Sequence, residues 1–124
     1  MAHKRKDEDM EIQHKIWGER WDIREDCTHK TTFLKLKKGY KCSWHIHKAK
    51  SNLFVVLCGR VGIKTRRKSE HELNETVLTR GMSFVVEPDI WHAFQVYEDS
   101  GVIEEAYVKY EESDIIRYSS GGRI

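Results

Sequence analysis

The feature that most limits what this chain can fold into is a period of two. From Thr31 onward apolar and polar residues alternate, and turn residues cut the pattern into short runs. Between Thr31 and Lys37, Leu34 and Leu36 share one face while Lys35 and Lys37 take the other. Successive side chains of a strand point to opposite sides, so this is a strand with one face on a core. Lys38-Gly39-Tyr40 reads as a turn, and Cys42 to His47 as the next strand. Leu53 to Cys58 and Val61 to Thr65, broken at Gly59-Arg60, carry a hairpin signal. Arg66 to Asn74 is polar and reads as an exposed loop. Thr76 to Thr79, Met82 to Val86, Trp91 to Val96 and Val102 to Val108 follow, separated by Gly81, Pro88-Asp89 and Glu98 to Gly101. About eight short strands with regular turns predict an all-β sandwich or barrel. Helical turns are expected only at the ends, over Met10 to Glu25 and Glu111 to Ile116.

A chain of 124 residues is long enough for one core and too short for two. Residues 1–11 alternate in charge without apolar spacing and are expected to form a disordered tail, leaving 12–124 as a single domain. Lys4, Arg5 and Lys6 are cancelled at once by Asp7, Glu8 and Asp9. Lys and Arg number 22 against 20 Asp and Glu, so nothing suggests the basic face of a nucleic-acid binder. No apolar run approaches the roughly 20 residues of a membrane span, and the polar start is unlike a secretory signal. Cys27, Cys42 and Cys58 are odd in number and lack a Cys-x-x-Cys pair, which fits a reducing cytoplasm.

Of the seven histidines, His3, His14, His29 and His71 fall in polar or charged surroundings and read as solvated or structural. His45, His47 and His92 differ. Two residues apart on a strand, His45 and His47 project to one side, with Trp44 and Ile46 facing away. Cys42 falls on the away-facing side, which counts against it as a ligand. Two imidazoles on one inward face each need a partner, and a bound metal supplies one. Neutral imidazole suits Zn, Fe, Ni, Cu and Co.

The spacing Gly39-x5-His45-x-His47-x4-Asn52-x6-Gly59 resembles the first motif of the cupin superfamily, and Gly81-x6-Pro88-Asp89-Ile90-Trp91-His92 resembles the second. The resemblance covers about Thr31 to Val108. It implies a small jelly-roll β-barrel, the double-stranded β-helix, around one divalent transition metal: Mn, Fe, Ni, Co or Zn. His45, His47 and His92 match the family's histidine ligands. Asn52 stands where the family usually has a glutamate ligand; its amide oxygen keeps it in the candidate ligand set. Asp89 stands where the turn usually has glycine, and Asp tolerates a left-handed backbone.

Trp17-Gly18-Glu19 resembles the opening of mannose-6-phosphate-isomerase-like cupins, without the proline before the tryptophan. Ile103-Glu104-Glu105, Ser113 to Arg117 and Gly122-Arg123 resemble that group's acidic strand and tail. This narrower resemblance implies a small polar, carbohydrate-like ligand, a sugar or sugar phosphate, and isomerisation if the protein is an enzyme. Glu105 is then the first candidate for proton transfer and Glu104 the second, according to which face of their strand is inward. A three-histidine Fe(II) dioxygenase and a non-catalytic ligand-binding cupin are the alternatives. Trp17, Trp21, Trp44 and Trp91 offer apolar surface for a homodimer, which the family resemblance also implies.

Overall fold

The structure, a computed structural model, describes residues 10–69, 71–107 and 115–124. Eleven strands make up its regular elements: β1 (Glu11–Lys15), β2 (Gly18–Glu25), β3 (His29–Leu36), β4 (Tyr40–Lys41), β5 (Trp44–Ile46), β6 (Ser51–Arg67), β7 (Asn74–Thr79), β8 (Ser83–Val86), β9 (Ile90–Tyr107), β10 (Ile116–Ser119) and β11 (Gly122–Arg123). All pairings are antiparallel. The all-β jelly roll expected from the sequence is borne out.

The two long strands make the roll. Along its first half, to Cys58, β6 lies between β8 and the second half of β9, and β9 continues the layer through β3 and β2 to β1. From Arg60 onward β6 lies between β7 and the first half of β9, which pairs on its other edge with β4 and β5. Strands β11 and β10 close that second layer outside β4 and β5.

Three expectations are corrected. Gly59-Arg60 is not a hairpin turn, and Glu98 to Gly101 does not separate two strands. At both places the chain bends and continues in the same strand, through register shifts around Cys58 and Arg60. Gly59 has a φ of 91°, and a Cβ there would meet Ser100 Oγ at 2.1 Å and the Asp99 carbonyl oxygen at 2.5 Å. The Arg60 amide, displaced from the ladder, donates to Ser100 Oγ at 2.9 Å. Glycine is therefore required by a bulge that bends one layer into the other. Third, Met10 to Glu25 forms a hairpin, not a helical turn. Gly18 at φ 140° opens β2 just after the turn, where a Cβ would meet the Lys35 carbonyl oxygen at 1.9 Å. Of the other end, 111–114 lie outside the described residues, and Ile116 opens β10. The tail expected over 1–11 lies outside them up to residue 9, and Glu11 opens β1.

Alternation sets the core. Leu34 and Leu36 of β3, Phe54 and Val56 of β6, and Val96 and Val102 of β9 all face the space between the layers and are buried. No helix among the described residues is long and apolar enough to cross a membrane.

Candidate metal centre

Three imidazoles meet inside the roll. Strand β5 supplies His45, His47 follows it, and β9 supplies His92, the register partner of His45. Their nearest nitrogens all lie within 4.8 Å of one another. Ring centroids are 5.0 Å apart for His45 and His47, 4.4 Å for His45 and His92, and 5.4 Å for His47 and His92. His47 and His92 are buried; His45 is partly exposed.

Backbone carbonyls orient two of the rings. His45 Nδ1 lies 2.7 Å from the Ser43 carbonyl oxygen, and His92 Nδ1 lies 2.9 Å from that of Ile90. A proton on each Nδ1 makes the bond, which turns Nε2 inward as the lone-pair nitrogen. Loop geometry fixes His47: the Asp89 amide donates to the His47 carbonyl at 2.8 Å, and Asp89 has φ 64°, the left-handed turn expected of it. Burial pulls the His45 imidazole down to about 2, with repulsion from His92 and His47 adding to it and the Ser43 carbonyl opposing. Burial pulls His92 down to about 4 against the Ile90 carbonyl. Both rings are neutral at pH 7, the form that binds metal.

Asn52 and Glu104 face the same interior from the other layer. Asn52 is fully buried, and its Nδ2 donates to Glu104 Oε2 at 2.5 Å. Burial raises the Glu104 carboxyl, but Lys50, Arg20 and the Asn52 amide more than offset this and hold it below its ordinary value. Two buried side-chain atoms lack a hydrogen-bond partner among the described residues: His92 Nε2 and Asn52 Oδ1. Buried polar atoms are rarely left so. One is an imidazole lone pair inside a three-histidine cluster and the other an amide oxygen, so both suit a divalent transition metal or a water bound to it.

Glu105 stands elsewhere. Glu104 is the register partner of Phe54 and so faces inward, which turns Glu105 to the outer surface. There it accepts from Thr31 Oγ1 at 2.8 Å and makes a close contact with His29 Nε2. Glu104, placed second from the sequence, is the carboxylate on the cavity. Cys42 also differs from its parity assignment. The chain leaves regular strand at Cys42 and Ser43, between β4 and β5, and Cys42 turns inward to line the cavity. Its Sγ accepts the Phe94 amide at 3.1 Å, and burial pushes the thiol up to about 12. Trp44, half-buried against the core, and Trp91 stack on each other at 6.3 Å and do not line the cavity, whereas Trp17 packs edge-on to Phe94 and does.

The cavity has a volume of about 410 Å³, within the range of small-molecule sites. Among the described residues, four cations line it, Lys15, Arg20, Lys50 and Arg117, against one carboxylate, Glu104. Periodicity gave no notice of Arg20 or Lys50. Arg20 faces inward only because it pairs with Leu34 across β2 and β3, and that register is not written in either strand alone.

No family model matches the sequence, and no curated protein does. Solved structures match closely in shape. CapF from Staphylococcus aureus, a capsular polysaccharide assembling protein, superposes with a TM-score of 0.74 at 16% identity over 86% of this chain. Oxalate decarboxylase from Bacillus subtilis gives 0.76 at 12% identity over 90%. The Streptomyces protein PAC13, in a structure with uridine, gives 0.76 at 12% identity over 97% of this chain and 93% of its own. This chain spans about a third of CapF and of oxalate decarboxylase, at 33% and 30% of their lengths. These are cupin-fold proteins, and the chain has the cupin fold. Within that fold, His45, His47 and His92 form a cluster that could hold a metal ion.

Proposed function

We propose that this cupin is a metal-dependent enzyme that moves a proton on a small carbohydrate-like carbonyl compound, as aldose–ketose isomerases do. One observation carries the reading: three histidines and the carboxylate of Glu104, which Asn52 holds through its amide, line a single cavity, and among the described residues His92 Nε2 and Asn52 Oδ1 lack a partner. His45, His47 and His92 would hold one divalent metal, Mn, Fe, Ni, Co or Zn, with Asn52 Oδ1 as a fourth donor directly or through water. The metal would supply Lewis-acid polarisation of substrate oxygens. Glu104 would take the proton from C2 of an aldose and return it to C1, while the O2 hydroxyl proton passes to O1. Asn52 holds Glu104 in place for that transfer. Glu105, on the outer surface with His29 and Thr31, takes no part.

Two neighbours act near sugar chemistry by their descriptions: CapF in capsular polysaccharide assembly, and Pac13 as a nucleoside dehydratase. Three free cysteines favour a reducing compartment, the cytoplasm. A homodimer would cover the outward apolar row Ile12, Trp21, Phe33, Ile103 and Val55, which crosses five paired strands. A single-chain mass in sedimentation would remove that assembly.

The test is solvent exchange. Metal-loaded protein is incubated in D₂O with aldoses, ketoses and their phosphates, and deuterium at C1 or C2 is read by NMR. Wild type should introduce deuterium, and Glu104→Gln should bind metal normally yet exchange none. Exchange by the Gln variant at the wild-type rate, or none by wild type with any compound, would overturn the reading. Oxygen consumption by the iron-loaded protein would turn it toward a dioxygenase.

A further inference from the structure

The charge lining the cavity is one-sided, and the chain as a whole is not. Lys and Arg exceed Asp and Glu only by 22 to 20 overall. Among the described residues that line the cavity, the cations Lys15, Arg20, Lys50 and Arg117 outnumber the carboxylate of Glu104, and the three histidines add no negative charge. A divalent metal would make the imbalance larger. A cavity walled by low-dielectric protein focuses the field of such cations on an anionic ligand.

The cations fall into two tiers. Arg20 and Lys50 belong to the interior. Lys50 is buried, and Arg20 is braced by Asp22, whose Oδ1 takes its Nε at 3.1 Å and lies 3.5 Å from Lys30 Nζ. These two face Glu104 and hold its charge. Lys15 and Arg117 are exposed and stand at the mouth, brought there by the end of β1 and by β10. Arg117 is the register partner of His45, so a strand pairing sets its side chain on the His45 side of the sheet.

We infer that the ligand of this cavity is an anion, a small polyhydroxylated molecule carrying a phosphate or carboxylate group that Arg117 and Lys15 receive at the mouth while its oxygens meet the histidine end. This deepens the proposed function and rests on its reading of the cavity as the substrate site. The guanidinium of Arg117 suits both groups, since its paired N–H donors match two oxygens of either.

The experiment uses metal-loaded full chain and three probes that share a ring: glucose, glucuronate and glucose 6-phosphate. Calorimetric affinities should favour at least one anion over glucose by about tenfold or more, the worth of one charge-assisted hydrogen bond. Which anion wins separates carboxylate from phosphate recognition. Arg117→Gln should erase most of that preference with metal content unchanged, and Lys15→Gln part of it. Added salt should weaken the anion and leave glucose alone, because the mouth is solvent-exposed. Equal affinities for the three probes, or no binding of any, would overturn the inference. So would an anion preference that survives Arg117→Gln and Lys15→Gln together and vanishes only when the metal is stripped. Solvent exchange catalysed on neutral sugars alongside any of these results would leave the metal-dependent proton transfer standing.

Discussion

Replacing Asn52 by Asp changes one NH₂ for one oxygen in a fully buried side chain and leaves its shape intact. Its consequence follows from the contact it makes. Asn52 Nδ2 donates to Glu104 Oε2 at 2.5 Å, and in the variant two carboxyl groups share that contact. If both stay ionised, the hydrogen bond to a charged acceptor is lost, about 1.5–3 kcal/mol, and repulsion is added. If they share a proton, one carboxyl must stay protonated at pH 7 against an ordinary pKa near 3.9, which costs up to about 4 kcal/mol. The metal-free variant should therefore be about 2–4 kcal/mol less stable. A domain of this size unfolds with an entropy of roughly 0.26 kcal/mol/K, so the loss is about 8–15 °C in melting temperature. The sign with pH is fixed by the shared proton. The folded pair holds a proton that the unfolded chain releases above about pH 4, so the deficit shrinks as pH falls toward 5. Saturating divalent metal should recover more stability in the variant than in wild type, because the cation answers the added charge. Calorimetric melting of chelator-treated wild type and Asn52→Asp at pH 7 and pH 5 measures all three effects. A variant that melts within about 2 °C of wild type at pH 7, the range of an ordinary surface change, would refute the reasoning.

Gly59→Ala should lower stability by about 2–4 kcal/mol in denaturant titration, since its Cβ would enter Ser100 Oγ and the Asp99 carbonyl at a φ of 91°. Gly39→Ala, at φ 88° with nothing within 4 Å, should cost only the backbone term, about 1–2 kcal/mol; equal losses at both sites would show that the bulge does not need its glycine. Cys27 and Cys58 are exposed and should react with a thiol reagent in the native protein, whereas Cys42 should react only on unfolding. The Cys42 thiol titrates near 12 when folded and near 9.0 when unfolded, so its contribution to stability is whole below pH 9 and is lost as pH rises toward 12. Three fast-reacting thiols at pH 8 would contradict that burial.

Much of the site is legible in the residues because period-two logic is local. His45 and His47 share a side by spacing alone, and the turn at Pro88-Asp89 delivers His92 beside them. What the spacing cannot give is register. Parity says that Glu104 and Glu105 face opposite ways, but only the pairing of Glu104 with Phe54 says which of them is inward. Parity also fails wherever a strand stops. Cys42 lies in the break between β4 and β5, and its thiol turns to the cavity against the alternation. Gly59 and the run from Glu98 to Gly101 have turn composition, which on sequence alone suggests strand ends. They are bends within strands, because each bulge lies beside the other on paired strands and Ser100 satisfies the displaced Arg60 amide.

His45, His47 and His92 are proposed to hold one metal. Chelator-stripped protein titrated calorimetrically with Mn(II), Fe(II), Co(II), Ni(II) and Zn(II), with bound metal counted by elemental analysis, tests that directly. One ion per chain is predicted for at least one of these metals, with about 2.7 kcal/mol of stabilisation at roughly 100 times its dissociation constant. His45→Ala, His47→Ala and His92→Ala should each fold and each lose the ion. Wild-type protein that takes up none of the five metals, or three alanine variants that all keep the wild-type stoichiometry, would contradict it.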